Sequence, residues 1–425
     1  MILALEYSRS AAAVITARAL AGTFPGVITS PAAPLRLITK PELHLPGAGW
    51  VRLRPTLSGI SGADLRLLAS GYRPYLNALM SPPFVPGHEV VGVLADDVEG
   101  SGLPAGTRVV LDPVLGCAAR GLPECVNCAA GAPNRCDQLT AGPIGGLRTG
   151  FAGETGGGWS EELIAHRSQL YAVPERMTDE QALLVQPLAG ALHLVDRAAP
   201  ADQDQLLVVG AGLTGLLTCW AARQQHPNLS ITVVGRYPRQ RELAHRFGAT
   251  RVVGTHDSLR GVRRTTRAVR VSGGSRLGIG GRPERAAAAD FPAGISGAIR
   301  VLAGHRLGGR DFLLGGVDVA IDAAGSKDSA AIALQSTRAG GRVVTAAGRR
   351  SDLTALWLRE LELLGSYAAT AGDYARAVDL VPDLPVTGLV GARYPLREWR
   401  QAIDHAQGCG KSGTVRVAFQ LREDR

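Results

Sequence analysis

The chain has 425 residues, 45% of them apolar and 20% charged, with a formal net charge of +9. That length is enough for two domains, each with its own core, and the composition is that of an ordinary globular protein, not of a membrane-embedded one. The basic excess is a poor argument for nucleic acid: Lys40, Lys327 and Lys411 are the only lysines among 46 basic residues, a skew that reads as codon bias.

The N-terminus, Met1-Ile2-Leu3-Ala4-Leu5-Glu6, lacks a basic region followed by a long apolar segment, so no signal peptide is expected. A cytoplasmic protein with reduced thiols follows as the expectation. The first chemistry-bearing motif is Gly87-His88-Glu89, on a Pro-Gly turn that leads into the apolar run Val90-Val91-Gly92-Val93-Leu94. Downstream, Cys117, Cys125, Cys128 and Cys136, four of the chain's six cysteines, fall within twenty residues punctuated by Gly and Pro. Thiolates so closely spaced on a turn-rich lobe suit a tetrahedral structural zinc ion; two disulfides or four unrelated thiols are the alternatives.

The longest apolar run, Leu206 to Ala222, is interrupted by three glycines and reads as strand, turn and helix, not as a membrane span. The strand Gln205-Leu206-Leu207-Val208-Val209 runs into Gly210-Ala211-Gly212-Leu213-Thr214-Gly215 and a helical stretch through Arg223. A Gly-x-Gly-x-x-Gly placed between strand and helix predicts a dinucleotide site. Gly210 permits the turn, Gly212 lets the backbone approach a pyrophosphate, and Gly215 lets helix and strand pack closely. With Leu213 and Thr214 the loop opens a helix whose free N–H groups face the anion. The second strand, Ile231 to Val234, ends in Gly235-Arg236-Tyr237-Pro238-Arg239, where an NAD enzyme places a carboxylate for the ribose hydroxyls. Arg236 and Arg239 there favour NADP(H), as guanidiniums for the 2′-phosphate; two solvated surface arginines are the alternative.

Between Arg260 and Arg310 stand eleven arginines against Glu284 and Asp290, in a Gly- and Ala-rich stretch that reads as a mobile surface insertion at about 257–312; a nucleic-acid-binding arm is its alternative. Strands return at Val317 to Asp322 and Gly341 to Thr345. Strands alternating with helices predict an α/β fold with a doubly wound parallel sheet.

Gly-His-Glu followed by a four-cysteine lobe resembles the zinc-containing medium-chain dehydrogenase/reductase superfamily, the alcohol, polyol and threonine dehydrogenases. The spacing Cys125-x2-Cys128-x7-Cys136 matches that family, whose first cysteine is normally two residues further upstream, whereas seven residues separate Cys117 from Cys125, so Ala118 to Glu124 reads as a loop insertion. The resemblance runs from about Gly47 to Phe419. It implies a GroES-like, β-rich catalytic domain at 1–187, a Rossmann domain at 188–350, and an end of that unit with return to the catalytic domain at 351–425. It also implies a hinge helix from Leu183 to Val195, a late helix from Glu398 to Gln407, a small-molecule substrate and a dimer or tetramer.

The resemblance further implies a catalytic zinc site, and this chain departs from it. The family's Ile-Cys-Gly-(Thr/Ser)-Asp is Ile60-Ser61-Gly62-Ala63-Asp64 here, and its Glu-Pro-Leu is Gln186-Pro187-Leu188, while His88 and Glu89 remain. A thiolate and a carboxylate have become a hydroxyl and a neutral amide. Most useful affinity for a catalytic ion is thereby lost, whereas the lobe zinc stays. A zinc-free NADPH-dependent reductase of an already electrophilic acceptor, a conjugated enone or an iminium, follows as the expectation. Ser61, His88 and Gln186 are its candidate donor or orienting groups, with Glu89 setting the histidine's charge or tautomer; His88 and Glu89 paired with each other or with Lys411 is the structural alternative. A zinc alcohol or polyol dehydrogenase with an atypical site, and a non-redox cofactor-binding or scaffold protein, are the competing readings.

Overall fold

A strand with both faces covered organises the first half of the chain. In the computed structural model, which describes residues 1–70, 78–255, 269–271, 312–347, 354–385 and 388–422, Trp50–Gly59 is almost wholly buried. Its first residues pair with Leu163–His166, its middle with Val90–Leu94, and its last with Arg416–Gln420. Pro55 has no N–H to give the ladder, and the register shifts between Pro55 and Leu57. The sheet continues through Arg108–Leu111 to Leu170–Ala172 on one side and to Val390–Pro395 on the other. Residues from the far end of the sequence thus complete the sheet that the first hundred begin.

The chain divides into two units, Met1–Gly190 with Ala368–Arg425, and Ala191–Tyr367. In the first unit one core gathers Leu5, Ile28, Phe84, Phe151, Trp159, Trp399 and Phe419, and a second gathers Leu53, Val90, Val109 and Leu163. Each such side chain contributes about 1.5–3 kcal/mol on leaving water, so these cores fix the loops that carry polar groups between them. Trp159 is a wedge among them: its indole N–H donates to the carbonyl of Gly59 at 3.2 Å. Its ring stands where a Cβ on Gly87 would be, 2.5 Å away, and Gly87 has φ +96°. Glycine is required there by both space and backbone.

The second unit is a six-stranded parallel sheet in the order Arg251–Gly254, Ser230–Gly235, Gln205–Val209, Val317–Asp322, Thr337–Thr345, Glu362–Gly365. The expected doubly wound fold is therefore present. The order reverses direction between Gln205–Val209 and Val317–Asp322, the point at which ligands bind in such sheets. Apart from the short antiparallel pair Val269–Val271 with Phe312–Leu314, the arginine-rich stretch lies outside the described residues.

Two elements differ from expectation. The hinge helix expected from Leu183 to Val195 runs Val185–Ala198 with Pro187 tolerated in its first turn, and a separate short helix, Asp179–Leu183, capped by Thr178, precedes it. The late helix runs Trp399–Ser412, longer than the Glu398 to Gln407 that the resemblance implied, and ends on Gly413 in the left-handed conformation. No described helix is long and apolar enough to cross a membrane.

Candidate active site

Where Trp50–Gly59 ends, the helix Gly62–Ser70 begins, and Ser61 is its cap. The Ser61 hydroxyl oxygen accepts from the N–H groups of Ala63 and Asp64, both at 3.1 Å, and Asp64 accepts from the Ser61 N–H at 2.9 Å. This reciprocal box satisfies donors that the first turn leaves free. It also fixes Asp64, whose other oxygen lies 3.2 Å from His88 Nδ1. Burial opposes ionisation of Asp64, but the His88 ring, with the bond from Ser61 and the charge of Arg148, holds its carboxyl down at about 2. An ionised Asp64 accepts from Nδ1–H, so the neutral ring keeps its lone pair on Nε2.

Glu89 faces the other way. Arg416 Nη2 donates to Glu89 Oε1 at 2.9 Å, and Arg416 Nη1 donates to the Ile60 carbonyl at 2.7 Å; both side chains are buried. Glu89 Oε2 is sealed against Gly59, where a Cβ would stand 2.2 Å from it. Glu89 therefore pairs with Arg416, and His88 with Asp64, in place of pairing with each other or with the exposed Lys411.

Gln186, at the start of Val185–Ala198, hydrogen-bonds the Tyr374 hydroxyl, which in turn bonds the Asp112 carboxyl. Tyr374 stacks on Tyr171 with ring centroids 4.8 Å apart. Asp112 is almost fully buried and also accepts from the Val114 N–H at 2.9 Å; burial drives its carboxyl up to about 7. It also pushes the Tyr374 hydroxyl well above its ordinary range.

The four cysteines meet in space. Their sulfurs all lie within 4.8 Å of one another, and among the described residues this is the one group of three or more His, Cys, Asp or Glu side chains close enough to share an ion. Zinc–sulfur bonds of about 2.3 Å put tetrahedral sulfurs about 3.8 Å apart, so the donor set fits a structural zinc ion. None is in a disulfide. Backbone N–H groups support the sulfurs: Cys125 N donates to Cys117 Sγ at 3.4 Å, Cys128 N to Cys125 Sγ at 3.5 Å, and Gln138 N to Cys136 Sγ at 3.4 Å. The Asp137 and Cys128 N–H groups pull the Cys125 thiol down to about 6, while burial pushes those of Cys128 and Cys136 up. The extra segment between Cys117 and Cys125 carries Arg120, whose buried guanidinium binds the carbonyls of Leu115, Ala141, Ile144 and Gly146. Nothing in a lone arginine of so arginine-rich a sequence signals that role.

The same donor count gives a different answer at His88. Ser61 is committed to two N–H groups, Glu89 Oε1 to Arg416 and Gln186 to Tyr374, while His88 Nε2 and Glu89 Oε2, buried without a hydrogen-bond partner, remain of the expected set. One imidazole and one oxygen of an arginine-paired carboxylate fall short of the three protein ligands of a catalytic zinc site.

In the second unit Gly210 has φ +114°, Gly212 caps the helix Leu213–Gln225, and a Cβ on Gly215 would lie 1.8 Å from the Gly210 carbonyl oxygen. A Cβ on Gly212 would meet nothing within 4 Å, which leaves that backbone open to a phosphate; Leu213 and Thr214 form the first turn. At the end of Ser230–Gly235, Arg236 is exposed and lies over the Tyr237 ring at 5.4 Å. Arg239 instead pairs with Glu242 at 2.6 Å along its own helix. Arg241, which the sequence reading passed over, bonds the Arg236 carbonyl at 3.1 Å and lies across Gly235.

Residues 47–175 match the family model of the alcohol dehydrogenase GroES-like domain. The chain is 29% identical over 350 residues to a probable D-xylulose reductase A of Aspergillus terreus, covering 80% of this chain and 82% of the relative. It is 29% identical over 215 residues to the starvation-sensing protein RspB of Escherichia coli K12, half of this chain and 57% of that protein. The RspB structure from Escherichia coli CFT073, described as complexed with the cofactor NADH, superimposes with a TM-score of 0.64 at 20% identity, covering 91% of this chain and 96% of that one.

Proposed function

The chain belongs to the zinc-containing medium-chain dehydrogenase/reductase superfamily, and on that premise we propose an NADPH-dependent reductase that works without catalytic zinc on a conjugated or iminium-type small molecule. The observation that carries this reading is the commitment of Ser61, Glu89 Oε1 and Gln186 to protein partners, with His88 Nε2 and Glu89 Oε2 left over. No Lewis acid is then available to polarise a plain carbonyl, so the acceptor must bring its own electrophilicity. Bound NADPH supplies a hydride to the electrophilic carbon. Protonated on both nitrogens, His88 gives its Nε2 proton to the atom that gains the electron pair and returns to the neutral ring, while Asp64 accepts from Nδ1–H and holds the ring in the orientation for that transfer. Ser61 and Asp64 act through His88 by pinning the helix start. The lobe cysteines Cys117, Cys125, Cys128 and Cys136 hold one zinc ion with a structural role.

Preference for the 2′-phosphate is argued from the strand end alone, since the RspB structure is described with NADH. Arg236 and Arg241 frame that end, and Arg239 joins by exchanging Glu242 for the phosphate. Arg236→Ala with Arg239→Ala should bring the NADPH and NADH dissociation constants together; a preserved gap would remove the arginines from the account. For the reaction itself, NADPH oxidation is followed against conjugated enones and against simple ketones. Wild type should consume the enones, and His88→Asn should lose about 10²–10⁴-fold, the scale of acid–base catalysis. Equal turnover of unactivated ketones would favour the second reading, a polyol–ketose dehydrogenase like the D-xylulose reductases, which the 29% identity over most of the chain supports.

A further inference from the structure

Beside the His88 centre stands a cation that forms no ion pair among the described residues. Arg148 follows the lobe on the segment Arg148-Thr149-Gly150-Phe151. That segment packs closely on the histidine turn: a Cβ on Gly150, which has φ +87°, would lie 3.0 Å from the Gly87 carbonyl oxygen. Thr149 is fixed as well, its N–H on the Pro113 carbonyl at 2.9 Å and its hydroxyl accepting from Gln169 at 3.2 Å. The guanidinium carbon of Arg148 rests 4.2 Å over the ring of Phe151, which is buried in the core with Ile60, Phe84 and Trp159. Arg148 Nε is buried with no hydrogen-bond partner, and among the described residues its guanidinium makes no ion pair. The nearby carboxylates are engaged elsewhere, Asp64 with His88 and Glu89 with Arg416. Its charge is nevertheless felt at both Asp64 and Tyr374, the groups that hold His88 and Gln186.

A half-buried guanidinium with an idle N–H is costly unless a ligand completes it. Stacking on Phe151 offsets part of that cost and presents the planar fork in one orientation. A single fork with a single positive charge matches a planar monoanion in two parallel N–H···O bonds. We infer that Arg148 is a specificity-determining residue that anchors a carboxylate of the substrate beside His88, so the molecule reduced is a small organic acid. This deepens the reductase reading and rests on it for the word substrate, while the binding of a carboxylate does not depend on turnover.

The experiment has two arms on the full-length protein with NADP(H) present. In the first, calorimetry measures binding of benzoate and glutarate, and of benzamide and glutaramide, to wild type, Arg148→Met and Arg148→Lys, each checked by thermal melting. Carboxylates should bind wild type, weaken about 10- to 100-fold in Arg148→Met and recover partly in Arg148→Lys, with the amides indifferent to all three. In the second, NADPH oxidation compares 4-oxopent-2-enoate with its methyl ester. The acid should be preferred by about tenfold or more in kcat/KM, and Arg148→Met should erase the preference by lowering kcat/KM for the acid far more than for the ester. Carboxylate binding without turnover of either compound keeps the anchor and sinks the reductase reading. Turnover with no preference for the acid, or carboxylate binding unchanged in Arg148→Met, overturns the anchor.

Discussion

At the scale of single residues, the centre is defined by what each polar atom is already doing. Arg416 is the counter-charge that lets Glu89 be buried. Arg416→Met should cost about 3–5 kcal/mol in denaturant unfolding, because it strands a carboxylate in the interior, and Glu89→Gln in the same background should return part of the loss. A cost near zero would mean that Glu89 has a partner other than the one described. Asp112 supplies a pH signature. Its folded carboxyl titrates at about 7, against about 3.9 in an unfolded chain, so the folded state holds a proton that the unfolded state has lost between those values. Stability from this group is therefore greatest below pH 4, declines as pH rises through the window, and stays lost above 7. Unfolding midpoints measured from pH 4 to 8 should show this decline in wild type and a flatter profile in Asp112→Asn; parallel profiles would contradict the assignment.

At the scale of elements, what sequence revealed and what it hid separate by distance along the chain. The glycine loop and the cysteine lobe were legible because their chemistry is local: strand, turn and helix within one short stretch, and four thiols inside twenty residues. The commitments of Ser61, Glu89 and Gln186 were not. Glu89 meets Arg416 across 327 residues, and Gln186 meets Tyr374 through the C-terminal return of the chain. A single sequence offers no pairing signal across such loops, and an arginine-rich composition hides which guanidiniums are built in, Arg120 and Arg148 among them. Ser61 could have been read from Ser-x-x-Asp as a helix cap, a local pattern overshadowed by the missing cysteine. The glycine loop makes the sharpest test at this scale. Gly215→Ala places a methyl 1.8 Å from the Gly210 carbonyl, so helix and strand must part, and NADPH affinity should fall by at least tenfold in a fluorescence titration. Unchanged affinity would mean that the loop does not carry the cofactor.

At the scale of the molecule, a GroES-like unit and a parallel-sheet unit share one chain, and the first is completed by its last 58 residues, Ala368–Arg425. Within that unit two clusters differ in what they offer a divalent ion. The lobe brings four sulfurs together, whereas around His88 the Ser61 hydroxyl and one Glu89 oxygen are already held by protein groups. The chemistry expected of the protein follows from that difference, and the most direct measurement is the zinc content of the purified full chain by elemental analysis. About one zinc per chain is predicted, falling to none in Cys125→Ser with Cys128→Ser and unchanged in His88→Asn. About two per chain, with one lost in His88→Asn, would contradict the account and return the protein to metal-assisted alcohol chemistry.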